Sequence, residues 1–101
     1  MGPEPLIGKK TAAETQQLNT YNDDHCAIWA DNLAGAETVT ISFATENAGA
    51  VAVPKPDLSG AFTLTATVPG AVLDGGYIYV ITKSITAGAC GVGVAHKRLS
   101  A

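Results

Sequence analysis

Two segments of this chain alternate, residue by residue, between apolar and hydroxyl-bearing side chains. In Thr38-Val39-Thr40-Ile41-Ser42-Phe43 the apolar set is Val39, Ile41 and Phe43. In Phe62-Thr63-Leu64-Thr65-Ala66-Thr67-Val68 it is Phe62, Leu64, Ala66 and Val68. A period of two belongs to a β-strand with one face on a core and one face outward. The outward face of such a strand ordinarily carries Lys and Glu, which keep sheets solvated and unpaired. Here it carries Thr and Ser, which suits a surface that meets other protein.

Composition points the same way. Charged residues are 15% of the 101, against roughly 25% in an ordinary soluble domain. That deficit implies a surface partly covered in the working state. Hydrophobic residues reach 47%, so the chain is not of the disordered class, and its length is that of one domain. The net charge of −3 is unevenly spread. Lys9 and Lys10 lie near one end and His96, Lys97 and Arg98 near the other, while Thr11 to Ala95 holds eight acids against two lysines. An acidic body repels nucleic acid, so none is expected as a partner. The basic ends read either as solvated tails or as grips on an acidic protein surface.

No apolar run is long enough to span a membrane. The first ten residues lack the charged and apolar regions of a secretory leader, so a cytoplasmic site of synthesis is expected. The two cysteines, Cys26 and Cys90, form no CxxC motif. A bridge between them is conceivable in a two-sheet fold, but the compartment favours two buried thiols.

Residues 1–20 read differently from the rest. Pro3 and Pro5 keep the start extended. Thr11-Ala12-Ala13-Glu14 has the spacing of a capping box, which predicts a short helix over 11–18. Leu6, Ile7 and Leu18 are the few residues there able to bury anything, so the segment reads as an N-terminal arm ordered by a neighbouring subunit. Residues 21–101 read as strands and tight turns. Strands are expected over His25–Ala30, Thr38–Ala44, Ala50–Val53, Phe62–Val68, Ala71–Leu73, Tyr77–Thr82 and Ala89–Ala95. Turns fall at Glu46–Gly49, at Pro54–Asp57, where prolines make the preceding strand an edge, and at Asp74-Gly75-Gly76. Gly91 and Gly93 leave one face of the last strand bare and invite close approach by a backbone or an aromatic ring. The fold class is therefore all-β: a small antiparallel β-sandwich, jelly-roll-like, of six or seven strands with an extended N-terminal arm. The expected core is Val39, Ile41, Phe43, Phe62, Leu64, Val80, Val92 and Val94.

No chemistry emerges from the residues. There is no Gly-x-Ser-x-Gly nucleophile turn. His25 adjoins Asp23 and Asp24, but neighbours on a strand point to opposite faces, so it reads as a rim histidine. Cys26 and Cys90 could meet across sheets, yet His25 points away from Cys26, which leaves too few ligands for zinc. The carboxylates are too sparse for calcium, and the glycines lead into a strand, not into a phosphate-binding helix. No catalytic residue, metal or cofactor is expected. A glycan site would need exposed aromatics, for which Trp29, Tyr77 and Tyr79 are the candidates, although such residues more often serve cores or interfaces.

The stretch Ala30-Asp31-Asn32-Leu33-Ala34-Gly35-Ala36-Glu37-Thr38-Val39-Thr40-Ile41, with Leu64-Thr65-Ala66-Thr67, Tyr77-Ile78-Tyr79-Val80-Ile81-Thr82-Lys83 and Thr86-Ala87-Gly88-Ala89-Cys90-Gly91-Val92, resembles small tailed-bacteriophage head decoration, or cement, proteins. The resemblance spans about Ala30 to Val94. It implies a non-enzymatic virion protein on the capsid exterior, often a homotrimer, that ties major capsid protein subunits together. Pro3, Pro5, Leu6, Ile7, Lys9, Lys10, Lys97 and Arg98 are then the expected contacts to capsid or sister subunits. The other reading is a phage tail, fibre or surface binding module that recognises a glycan or protein through Trp29, Tyr77 and Tyr79.

Overall fold

The computed structural model describes residues 3–44, 50–52 and 62–99. Nine strands run through them: β1 (Glu4–Lys10), β2 (Glu14–Asn19), β3 (Asp23–Ala30), β4 (Val39–Ala44), β5 (Ala50–Ala52), β6 (Thr63–Leu64), β7 (Gly70–Asp74), β8 (Ile78–Lys83) and β9 (Cys90–Arg98). They build two antiparallel sheets. The first has the order β1-β9-β3-β7; the second has the order β2-β8-β4-β5, with β6 also paired to β4. The sandwich expected from the alternation is therefore present, with more strands than the six or seven predicted.

The two extra strands that matter come from the leader. β1 pairs with β9 in one sheet and β2 with β8 in the other. Ile7 and Leu18 are buried in the chain's own core. The first twenty residues are thus no detached arm, and no helix forms over 11–18. The capping-box spacing loses to strand pairing. Leu18 points inward, and Glu14 turns to Lys10 and Gln16 instead of capping a helix. Tertiary pairing overrides a weak local preference.

One buried side chain pins this leader in place. Lys83, at the inward end of β8, is fully buried. Its ammonium donates to the carbonyls of Ala12 (2.9 Å) and Ser84 (3.0 Å) and to Thr86 Oγ1 (3.1 Å). A buried cation is tolerable only when its donors are satisfied, and here all three are. Thr86 N also donates to Thr11 O at 2.9 Å. The β1–β2 corner is therefore hung on the β8–β9 corner.

The core joins Ile7, Leu18, Cys26, Ile28, Val39, Ile41, Leu64, Leu73, Tyr79, Ile81, Cys90, Val92 and Val94. Phe43 and Phe62 pack on it while partly exposed. Val80 does not belong to it. On β8 the inward residues are Tyr79, Ile81 and Lys83, and Val80 faces outward, half-buried. A strand apolar on both faces carries no parity signal, and a one-residue slip swaps its faces. The expected Phe62–Val68 strand is also shorter. Pairing stops at Leu64, the chain turns with Val68 N donating to Thr65 Oγ1, and Val68 is exposed. The last strand, by contrast, continues to Arg98. Cys26 and Cys90 are separate buried thiols. The turns expected at 46–49 and 54–57 lie outside the described residues.

Candidate functional site

The outer face of the second sheet contains a row of threonines. Register places Thr15 of β2 opposite Thr82 of β8, Thr82 opposite Thr40 of β4, and Thr40 opposite Thr63 of β6. The hydroxyls of Thr15 and Thr82 are 3.3 Å apart. The next row is Gln17, Val80 and Ser42, and Asn19 and Ile78 follow. Among the described residues this face carries no charge. Inward parity placed the apolar partners Val39, Ile41 and Ile81 in the core and so forced the hydroxyls out.

The outer face of the first sheet is built around Trp29. Its cross-strand neighbour is Gly93, and Gly93 in turn pairs with Pro5. The indole lies over the Gly93 backbone, the close aromatic approach that a bare strand face permits. Ala27, Ala95 and Val72 continue the patch, with Val72 exposed. A shallow groove of about 290 Å³ runs past Trp29 between Pro5, Ile7 and Gly91. Charge sits at its rim. Lys9 Nζ is 3.2 Å from Asp31 Oδ2, and Asp31 Oδ1 accepts the Gly91 N–H at 2.8 Å. The Gly91 N–H first, and then Lys9, hold the Asp31 carboxyl below its ordinary range.

Aromatic residues gather at one end of the second sheet. Phe43 lies 5.1 Å from Tyr77 and 5.5 Å from Tyr79, ring centre to ring centre. Tyr79 is buried, and its hydroxyl donates to Asp74 O at 2.7 Å. Tyr77 is exposed beside Tyr21, at a hollow of about 400 Å³. Trp29, Tyr77 and Tyr79 therefore do not form one ligand face. Trp29 stands on the opposite sheet, and Tyr79 faces inward.

Most of the basic residues at the two ends are engaged within the chain. Lys10 pairs with Glu14 and Lys9 with Asp31. Arg98 Nη1 donates to Asp23 Oδ1 at 2.8 Å. Pro3, Pro5, Lys9 and Lys97 are exposed and Leu6 is half-buried, whereas Ile7 is buried and its side chain is unavailable to a neighbour.

Sequence reasoning missed one polar cluster. A register shift between Asp23 and His25 at the start of β3 turns Asp23 inward, beside Cys26. His96 sits directly opposite Cys26 on β9. Its Nδ1 meets Asp23 Oδ2, and its Nε2 lies 3.2 Å from Glu4 Oε1. The Asp23 side chain is fully buried and that of His96 is 7% exposed, so His96 is no part of a solvated tail. Burial first, and then the Asp23 charge, push the Cys26 thiol up to about 11. A thiol so shifted is not a nucleophile near neutrality. His25, the histidine that drew attention in the sequence, is a rim residue hydrogen-bonded to Asp24.

No protein-family profile and no curated protein matches the chain in sequence. In structure it is similar to the SPBc2 prophage-derived protein YomS, with a TM-score of 0.67 over 92% of this chain and 88% of that one, at 13% identity. A likeness at that identity establishes a shared fold. No described helix is long and apolar enough to cross a membrane.

Proposed function

We propose that this chain is a structural protein of a bacteriophage particle, not an enzyme: a head decoration protein that sits on the outside of the capsid and ties major capsid subunits together. The observation that carries this reading is the uncharged outer face of the second sheet, with Thr15, Thr82, Thr40 and Thr63 in one row. A solvated sheet face pays no penalty for Lys and Glu, whereas a face that is desolvated on docking does, because each unpaired charge costs energy to bury. The fold shared with a prophage-derived protein supports the phage setting. The resemblance of Ala30 to Val94 to cement proteins supports the particle and suggests trimers.

Contact through preformed sheet faces replaces the arm mechanism. β1 and β2 are committed to the chain's own sheets, so the subunit docks as a rigid body. Each bound copy then stabilises the shell by mass action. The test is to purify particles from cells that encode the chain and to identify it among virion proteins by mass spectrometry. Particles lacking it should assemble and lose their genome at a lower temperature. Absence from purified particles, or equal heat survival, overturns the reading.

The groove beside Trp29 favours a second reading, a binding module that takes a sugar ring or a peptide on the indole. Trp29→Ala would then abolish glycan-array or peptide binding while leaving particle association intact.

A further inference from the structure

We propose that Asp23, Cys26 and His96 form a binding site for a divalent cation of the zinc class, which staples β3 to β9 at the end of the first sheet. One ligand atom from each residue lies within 4.8 Å of the others, and all three residues belong to the buried end of the sandwich. Bonds of about 2.0 to 2.3 Å to tetrahedral zinc hold ligand atoms roughly 3.5 Å apart. Small rotations of side chains already pointing at one another reach that spacing. The backbone supplies the convergence. Cys26 and His96 are direct cross-strand partners, and the irregular register after Asp23 brings its carboxylate to the same side.

Three further observations favour a cation over a self-contained ion-pair knot. The Cys26 sulfur takes no part in the Asp23–His96–Arg98 contacts, and its polar contacts are to backbone groups, those of Ala27 (3.5 Å) and Ala95. Asp23 and Glu4 bring two carboxylates to the two nitrogens of one imidazole, which places anionic oxygen donors where a cation would sit. Finally, Glu4 stands at His96 Nε2 while Asp23 stands at Nδ1. A cation takes the place of the proton that Nδ1 shares with Asp23 Oδ2, while Nε2–H donates to Glu4 and holds the freed Nδ1 lone pair toward the metal. This is the carboxylate–histidine arrangement that orients metal-bound imidazoles.

The donor set of sulfur, nitrogen and oxygen suits zinc or cobalt and excludes magnesium and calcium. Binding displaces two protons to solvent, that of the Cys26 thiol and the one between His96 Nδ1 and Asp23, and leaves a thiolate, an imidazole nitrogen and a carboxylate oxygen on the metal. The fourth position falls to a water, because Asp23 Oδ1 is held by Arg98. The burial of all three ligands assigns the site a structural role.

The experiment uses the full chain, stripped with chelator, reduced, and titrated with Co²⁺. The expected result is a thiolate-to-cobalt charge-transfer band that saturates at one equivalent and is bleached by zinc. The band should vanish in Cys26→Ser and persist in Cys90→Ala, whose thiol lies elsewhere in the core. Zinc should raise the melting temperature of the unaltered chain by at least about 5 °C. Native mass spectrometry of the unaltered chain needs no folded variant, and a single bound zinc supports the site. No charge-transfer band, no mass gain, or a band that survives Cys26→Ser overturns it and leaves the cluster an ion-pair knot.

Discussion

Trp29 lies so close over Gly93 that a Cβ on residue 93 would fall 2.6 Å from both Cε2 and Nε1 of the indole. The outer face of the first sheet owes its shape to this contact. Gly93→Ala forces the ring to lift or β9 to shift, an overpacking cost of about 1–3 kcal/mol. Chemical denaturation should show that loss, and the tryptophan emission should move to the red. An unchanged midpoint with unchanged emission would show that the indole does not rest there.

Lys83 tests whether the leader is part of the domain. Lys83→Met keeps the length and apolar stem but leaves the carbonyls of Ala12 and Ser84 and the Thr86 hydroxyl without their donor. Removing a buried cation recovers some desolvation energy, yet unsatisfied acceptors cost more, so a net loss of about 2 kcal/mol is expected. Hydrogen exchange should report it locally. The Thr86 amide, bonded to Thr11, should lose protection before the central strands do. Uniform protection would place the leader's anchorage elsewhere.

The alkaline limb of stability should be set by buried acids that resist ionising. Burial, aided by Asp23, raises Cys26 from 9.0 to about 11. Burial, aided by Asp74, raises Tyr79 from 10.0 to about 12. Both groups bind their proton more tightly when folded, so their contribution is whole below the unfolded values and is lost as pH climbs through the folded ones. Melting temperature should therefore decline from about pH 9 upward. On the acid side the sign reverses. Glu37 accepts the Ala87 N–H at 2.8 Å and the Ala34 N–H at 2.9 Å, which hold its carboxyl below its ordinary value. Its contribution is present above the usual carboxylate range and is lost as pH falls through the folded value. A flat alkaline limb would contradict the burial of Cys26 and Tyr79.

Thr82 separates docking from folding. It is exposed at the centre of the threonine row, so Thr82→Lys should change stability by no more than about 0.5 kcal/mol. A lysine there must be desolvated unpaired when the face is covered, and cosedimentation with shells should weaken at least about tenfold. Undiminished binding would move the docking surface to the Trp29 face.

Several features were legible in the chain itself because they are local. Period-two alternation in Thr38–Phe43 marks a half-buried strand wherever it sits. The bare faces at Gly91 and Gly93 announce a close approach, and an indole occupies one of them. The charge deficit of the outer surfaces is a matter of composition. Each of these is a property of a few consecutive residues, and strand geometry converts it directly into a face.

Other features depended on partners distant in sequence. The leader reads as an underfilled arm because Leu6, Ile7 and Leu18 are few, yet pairing to β9 and β8 makes Ile7 and Leu18 core residues. The inward turn of Asp23 needs an irregular register, and the burial of His96 needs β1 and β3 on either side of β9. Nothing local in the sequence marks Lys83 for burial; two corners of the sandwich supply its acceptors. Strand order and register are long-range choices whose hydrogen bonds are the same for every sequence, so side-chain identity nearby does not encode them. The sequence by itself determined that this chain makes half-buried strands with hydroxyl faces. The tertiary structure decided which strands are neighbours, and with them which charges are buried and paired.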